Sequence, residues 1–466
     1  MTLIKSISGI RGTIGGKEGE GLTPLDIVKF TAAFGYLCRE QSDSKKIIIG
    51  RDARISGQMV SNIVASTLQS IGFDVIDLGL STTPTVEIAV PIEEAAGGII
   101  LTASHNPAQW NALKLLNSEG EFISAEDGEK VLELAENSDL DFVDIEHLGT
   151  YTTDDTYIDK HIQLILDLPL VDVEAITQKD FNIAIDCVNS TGGIAVPKLL
   201  KALGVNRITE FFCEPTGHFP HNPEPLPENL THISSKMSNG KFDLGIVVDP
   251  DVDRLALLNE DGSPFGEEYT LVAVSDYVLK KSPGNTVSNL SSTKALKDIT
   301  LKKGGSYNAA AVGEVNVVNK MKETNAIIGG EGNGGVIYPK LHYGRDALVG
   351  IALFLTHLAK FNKSASSLRG QYPNYHISKN KIELTPDVDV DSVLEAIEKK
   401  YNNNPINTID GVKIEFENEW VHLRKSNTEP IIRIYSESET LATAEHLANK
   451  IINDIKDLIS NHGDEA

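Results

Sequence analysis

The feature that most limits what this chain can fold into is a recurring three-part phrase. A short, β-branched apolar run is followed by a loop rich in Gly, Ser, Asn or Asp, and then by a helix-like stretch. Lys46–Gly50 precedes RDARISG, Phe73–Gly79 precedes LSTTPT, and Gly97–Leu101 precedes TASHNP. The phrase returns at Asn182–Asp186 before CVNSTGG, Leu244–Val248 before DPDVDR, and Ala326–Ile328 before GGEGNGG. Continuous apolar runs of this length are strands buried on both faces, and their alternation with amphipathic helices makes α/β domains with largely parallel sheets. In such sheets ligands gather beyond the carboxyl ends of the strands, where these loops lie.

A length of 466 residues suits about three or four domains. Segment 137–156 is polar and separates a first unit from a second, a new strand begins after Arg254, and segment 361–376 is interrupted by Gly and Pro. The rest reads as a small α+β domain ending in a helix near 439–460. There Leu441, Ala444, Ala448, Ile451, Ile455 and Leu458 follow in steps of three and four, which makes one apolar face. The expected units are therefore 1–150, 151–255, 256–368 and 369–466.

Charge narrows the partners. Lys and Arg number 42 against 66 Asp and Glu, a net charge of −24. That balance excludes broad nucleic-acid binding, which needs clustered cations, and disfavours anionic membrane surfaces. A small anionic substrate needs only a local island of Arg and Lys. Cys38, Cys187 and Cys213 are too widely spaced for a disulfide framework or a C-x-x-C site. The opening MTLIKSISGIRGTIGG lacks a signal-peptide core, and no apolar run approaches the ~20 residues of a membrane span, so a cytoplasmic protein is expected.

Four loops carry chemistry. In TASHNP, Ser104 follows a buried strand in a stiff loop with His105 beside it, which suits a nucleophile or phosphoryl carrier or simply a Ser/Asn turn. In DPDVDR, Asp249, Asp251 and Asp253 alternate along an extended loop. Three such anions repel unless a cation such as Mg²⁺ neutralises them, and Arg254 adds a phosphate donor. The same string fits a D-x-D phosphatase loop with Asp249 as nucleophile, or a solvated acidic turn. In GGEGNGG, glycines let backbone approach a ligand, while Glu331 and Asn333 can bond sugar hydroxyls. No G-x-G-x-x-G opens a helix, which excludes a nucleotide cofactor. In RKSNTEPIIR, Arg424, Ser426, Asn427 and Thr428 can surround a phosphate, with Arg433 returning on the next strand.

In this order the loops resemble those of the α-D-phosphohexomutase superfamily along nearly the whole chain. Further matches are SGIRGT at 8–13, NALK at 111–114 and GHFPHNPEPLPENL at 217–230. The resemblance implies three related α/β domains with mixed sheets and a smaller C-terminal domain, around a central cleft. It makes Ser104 the phosphorylated residue, holding one Mg²⁺ together with Asp249, Asp251 and Asp253. It places Arg11, Lys114, Arg254 and His105 at the catalytic centre, with Lys114 a candidate acid/base. Glu331 and Asn333 are expected on the sugar, and Arg424, Ser426, Asn427, Thr428 and Arg433 on the distal phosphate. The implied partner is a phosphosugar substrate, bound by a monomer or homodimer, with a sugar 1,6-bisphosphate as activator and intermediate.

Many bacterial members read G-E-x-S-G-H in the third loop, where this chain has Asn333 and Gly335 in place of Ser and His. His342 or Arg345 is expected to compensate. The variant loop directs the expected reaction to interconversion of glucosamine 6-phosphate and glucosamine 1-phosphate, with mannose or glucose phosphates as the alternative. An aspartyl-phosphate phosphatase and a non-catalytic phosphosugar-binding protein are the rivals of other classes.

Overall fold

Each apolar run becomes a strand in the structure, a computed structural model that describes residues 2–6, 9–137, 141–384, 388–425 and 431–463. The first sheet contains β1 (Ile4–Ser6), β2 (Gly9–Thr13), β3 (Lys46–Arg51), β4 (Asp74–Leu80), β5 (Gly97–Leu101), β6 (Trp110–Leu116) and β7 (Tyr151–Thr153). Their spatial order is β1-β2-β6-β5-β3-β4-β7. The strands β5, β3, β4 and β7 run parallel, and β6, β2 and β1 extend the sheet by antiparallel pairs. Ile47 and Ile49 of β3 face one buried cluster with Val60, Val64 and Leu68, whereas Ile48 faces another with Val86 and Val90. Two covered faces are the reason the run carries no polar alternation.

The second sheet holds β8 (Asn182–Asp186), β9 (Arg207–Phe211), β10 (Leu244–Val248) and β11 (Leu255–Leu258), in order β11-β10-β8-β9. The third holds β12 (Asn285–Asn289), β13 (Tyr307–Ala310), β14 (Ala326–Glu331) and β15 (Gly335–Ile337), in order β13-β12-β14-β15. Both are parallel apart from one antiparallel edge strand, β11 or β15, which folds back after the chemically loaded loop. The fourth is antiparallel throughout, β16-β20-β19-β18-β17, made from β16 (His376–Glu383), β17 (Ile406–Asn407), β18 (Val412–Glu415), β19 (Trp420–Lys425) and β20 (Ile431–Ser438). The fold is thus three α/β units with mixed sheets and a smaller C-terminal unit. Two sheets reach a few residues past the expected limits, since β7 closes the first and β11 the second. Among the described residues no helix is long and apolar enough to cross a membrane.

The cores are not equally joined. Ile183, Ile185, Leu244 and Ile246 of the second sheet share one cluster with Leu348, Ile351, Leu353 and Leu355, from the helix Ala347–Phe361 of the third unit. The fourth unit has its own core, drawn only from residues 382–459.

The described seam between the third and fourth units is largely polar. Lys413 Nζ donates to the Leu290 carbonyl at 2.7 Å, Ser291 Oγ lies 3.0 Å from His422 Nδ1, and Lys294 N–H donates to Glu437 Oε1 at 2.8 Å. Burial pushes the Lys413 ammonium down to about 8 and the His422 imidazole down to about 4. An unfolded lysine titrates near ~10.4, so between about 8 and ~10.4 the unfolded chain holds a proton the folded protein has released, and stability rises with pH there. Urea midpoints of wild type minus Lys413→Met should therefore climb across that window. A difference that stays flat with pH would refute the assignment.

Candidate active site

Ser104 sits just beyond β5, with its backbone in the left-handed region at φ 46°. A non-glycine residue held there needs its surroundings to enforce it. The enforcement comes from Arg54, fully buried, whose Nη2 donates to the carbonyls of Ser104 (2.6 Å) and Asn106 (2.7 Å). Its Nη1 donates to those of Pro107 (2.7 Å) and Trp110 (2.9 Å). Its Nε pairs with Asp52 Oδ2 at 3.0 Å. That carboxylate also accepts from Thr102 Oγ1 at 2.6 Å, and Thr102 in turn accepts from the Ser104 N–H at 2.9 Å. The guanidinium fork thus gathers four carbonyls of one loop, a task that suits its planar donors.

Across the cleft, the loop after β10 brings three buried carboxylates to the same point. Asp249 Oδ2 accepts from Ser104 Oγ at 2.8 Å, while its Oδ1 accepts from the backbone N–H groups of Asp253 (3.2 Å) and Arg254 (3.1 Å). Asp251 Oδ2 accepts from Thr83 Oγ1 (2.6 Å) and Lys114 Nζ (2.7 Å). Asp253 Oδ2 accepts from Arg345 Nη2 at 2.7 Å, with Lys114 Nζ at 3.5 Å. Val252 between them adopts φ 64°, unusual for a β-branched residue, and its carbonyl is fixed by the Ala347 N–H at 3.2 Å. Burial, then the charges of Asp253 and Asp251, hold the Asp249 carboxyl well above the usual range. Asp251 is held below it because Lys114 and Thr83 outweigh its burial.

These residues fit a hard divalent cation. One oxygen of each aspartate lies within 4.8 Å of the others. Asp251 Oδ1 and Asp253 Oδ1 are buried without a hydrogen-bond partner, and Arg254 Nε stands 4.0 Å from the latter. An all-oxygen carboxylate set of this kind is what Mg²⁺ takes.

His105 Nδ1 lies 3.3 Å from Ser104 Oγ. Burial, then the Arg254 charge, lowers its imidazole to about 3, so the ring is neutral at physiological pH. Glu224 reaches both, at 3.3 Å from Arg254 Nη1 and 3.9 Å from His105 Nε2. Lys114 is a firm cation, because Asp251 and Asp253 overcome the effect of its burial.

The third loop is tied to the aspartates by one side chain. Arg345 bonds Asp253, Glu331 Oε2 (Nη1, 2.9 Å) and Glu314 Oε2 (Nε, 3.1 Å). Glu331 Oε1 accepts from Asn289 Nδ2 at 2.7 Å and the Gly313 N–H at 3.1 Å, while Asn333 Nδ2 sits 3.5 Å from Glu331 Oε2. A Cβ on Gly335 would lie 2.4 Å from Arg345 Cδ, so the loop histidine of other members cannot coexist with this arginine as it stands. His342 faces away from that loop, toward Glu87 and Asp346.

A second group of cations comes from the first and fourth units. Arg11 on β2 has its Nε buried without a partner, and its pKa is lowered by burial and then by the Arg433 charge, which places two cations near each other. Arg433 stands opposite Arg424 in the β19–β20 register, and Arg424 Nε pairs with Asp410 Oδ2 at 2.8 Å. Ser426, Asn427 and Thr428 lie outside the described residues. Asp52, Arg54, Thr83, Glu224 and Glu314 were not singled out in the sequence. The placement of RDARISG directly after a strand was the available signal for Asp52 and Arg54.

With this geometry in view, the chain matches four successive parts of one family. Domains I, II and III of phosphoglucomutase/phosphomannomutase cover residues 3–141, 155–262 and 266–375, and its C-terminal domain covers 384–454. A phosphoglucomutase/phosphomannomutase of Thermococcus kodakarensis is 36% identical over 436 residues, covering 92% of this chain and 94% of its own. A phosphoglucosamine/phosphogalactosamine mutase of Sulfurisphaera tokodaii is 32% identical, covering 97% of this chain and 98% of its own. The crystal structure of a phosphoglucomutase/phosphomannomutase family protein from Burkholderia thailandensis superposes with a TM-score of 0.83 at 25% identity, covering 98% of both chains. The chain is therefore a phosphohexomutase, a member of the phosphoglucomutase/phosphomannomutase family within the α-D-phosphohexomutase superfamily.

Proposed function

We infer that the chain is a phosphoglucosamine mutase, interconverting glucosamine 6-phosphate and glucosamine 1-phosphate through a phosphorylated Ser104. The observation that carries the phosphoryl chemistry is Ser104 Oγ at 2.8 Å from Asp249, within a cluster of three buried aspartates. The sugar assignment is supported by the Sulfurisphaera relative and by a third loop built around Arg345 in place of a histidine.

In this reading Ser104 starts as its phosphate. The substrate hydroxyl attacks phosphorus, the P–O bond to Ser104 Oγ breaks, and a 1,6-bisphosphate forms. The intermediate turns over in the cleft, and its other phosphate returns to Ser104. Mg²⁺ held by Asp249, Asp251 and Asp253 would neutralise charge on the moving group. Lys114 and Arg254 add positive charge on the protein side. Neutral His105 is placed to accept the proton of the attacking substrate hydroxyl and pass it to Ser104 Oγ as the P–O bond breaks. It carries a proton the other way when phosphate returns to the serine. Arg11, Arg424 and Arg433 would anchor the phosphate that is not reacting.

Turnover of glucosamine, mannose and glucose 6-phosphates, each with its 1,6-bisphosphate, tests the sugar. Glucosamine phosphate should give the highest kcat/KM. A clear preference for mannose or glucose phosphate would favour the activity for which the Thermococcus relative is named and overturn this one. Ser104→Ala should lose at least about a thousandfold in kcat. Phosphate recovered from the wild type should map to Ser104 and survive acid, as an acyl phosphate on Asp249 would not.

Arg54 touches none of the reacting atoms and acts as a positioning residue. Arg54→Met should lower kcat by roughly a hundredfold, because a misplaced loop spoils near-attack geometry, with KM little changed. An unchanged kcat in folded R54M would show that the serine loop holds itself.

A further inference from the structure

Behind the aspartates, three units meet at a second cluster that the phosphoryl chemistry does not use. His161 comes from the helix Tyr157–Leu166, Asp346 and His342 from the turn before the helix Ala347–Phe361, and Thr85 and Glu87 from the helix Thr83–Ile92. Asp346 Oδ2 lies 2.9 Å from His161 Nε2 and 3.3 Å from His342 Nε2. One donor atom from each of the three residues lies within 4.8 Å of the others, with His161 and Asp346 fully buried. Four-coordinate zinc, with bonds of about 2.0–2.1 Å, sets its ligand atoms about 3.3 Å apart, close to these spacings.

The surroundings orient the donors. Asp346 Oδ1 is held by the backbone N–H groups of Leu348 (2.8 Å) and Val349 (3.3 Å), which leaves Oδ2 turned to the histidines. His161 Nδ1 sits 2.9 Å from Thr85 Oγ1, and His342 Nδ1 lies 3.4 Å from Glu87 Oε2. A histidine that binds a metal through one nitrogen holds the other against an oxygen as His161 does here, whereas His342 Nδ1 is buried without a hydrogen-bond partner. Glu87 supplies the independent observation. It is 2% exposed, and neither carboxylate oxygen has a hydrogen-bond partner. The adjacent cations are already committed, Lys114 to Asp251 and Asp253, and Arg345 to Asp253, Glu314 and Glu331. Asp346 thus shares two imidazoles, and Glu87 stands beside them as a buried carboxyl whose oxygens no donor satisfies.

We propose that His161, His342 and Asp346 bind a divalent cation of the zinc class, distinct from the ion of the aspartate loop, with Thr85 orienting the His161 imidazole and Glu87 facing that of His342. Nitrogen donors select zinc, cobalt or nickel over Mg²⁺. The ion would clamp the second and third units together one residue away from Arg345.

The test is zinc binding by the full-length, tag-free protein after chelator stripping, read as bound Zn²⁺ per chain in excess Mg²⁺. One tightly held equivalent is expected, retained in an Asp249→Asn/Asp251→Asn variant. His161→Gln and His342→Gln should each weaken zinc at least about tenfold, and Glu87→Gln should weaken it by a similar factor. Cobalt loaded into the wild type should show the intense visible bands of four-coordinate, nitrogen-ligated Co²⁺, a readout that stands even where a variant fails to fold. Zinc bound equally by wild type and the His161→Gln/His342→Gln double variant would overturn the proposal. So would a wild type that gives no such cobalt spectrum, which would leave the cluster as hydrogen bonds around Asp346.

Discussion

The structure depends on balancing negative charge where its first three units converge. Asp249, Asp251 and Asp253 are all buried, and so are Glu314, Glu331 and Asp346 close by. In a poorly solvated junction each unpaired carboxylate costs several kcal/mol. The answer is a small number of shared cations. Lys114 serves two aspartates, and Arg345 joins one of them to two glutamates. Lys114 comes from the first sheet, the aspartates from the second and Arg345 from the third unit, so charge compensation at the site also joins the units. Catalytic placement and domain assembly are consequences of the same ion pairs.

Rigid support sets the reacting loops apart from ordinary turns. Ser104 and Val252 both hold left-handed backbone, a conformation that costs on the order of 1–3 kcal/mol where the side chain is unsuited. Arg54 fixes the first loop through four carbonyls, and the Asp249 carboxylate fixes the second through two N–H groups. Asp249 therefore shapes its own loop with one oxygen and meets Ser104 with the other.

Much of this was legible in the sequence because strands buried on both faces announce themselves as unbroken apolar runs. Ile47–Ile49, Ile99–Leu101 and Ile246–Val248 needed no partner to be read. Position directly after a strand likewise exposed Ser104 and the aspartates. The strand after Arg254 was legible, but not its place as the antiparallel edge of the second sheet rather than the start of a third unit. Strand β15, three residues long, carries little periodicity of its own. Partners chosen across the chain were invisible. Arg345 meets Asp253 from 92 positions away and His161 meets Asp346 from 185, and no local pattern marks such pairs. The third-loop substitution was readable as a change, but its physical reason was not. Gly335 makes room for Arg345 Cδ, and that appears only once the two are brought together.

The net charge of −24 takes on a different meaning against this geometry. An acidic chain can hold a small anion only where its cations are concentrated, and Arg11 and Arg433 lie within reach of each other's charge. Those residues come from the first and fourth units, and the fourth is the unit that shares least apolar packing. The second and third units share one continuous core, whereas the fourth keeps its own and meets the third through hydrogen bonds and ion pairs such as Lys297 with Glu415 at 3.0 Å. Polar contacts exchange readily for water, at about 1 kcal/mol or less for an exposed pair, while parting a shared core exposes apolar area at about 25 cal/mol per Å². Opening the cleft is therefore cheapest at the fourth unit. Arg11 and Arg433 repel each other across that joint, so an anion held between them would favour closure.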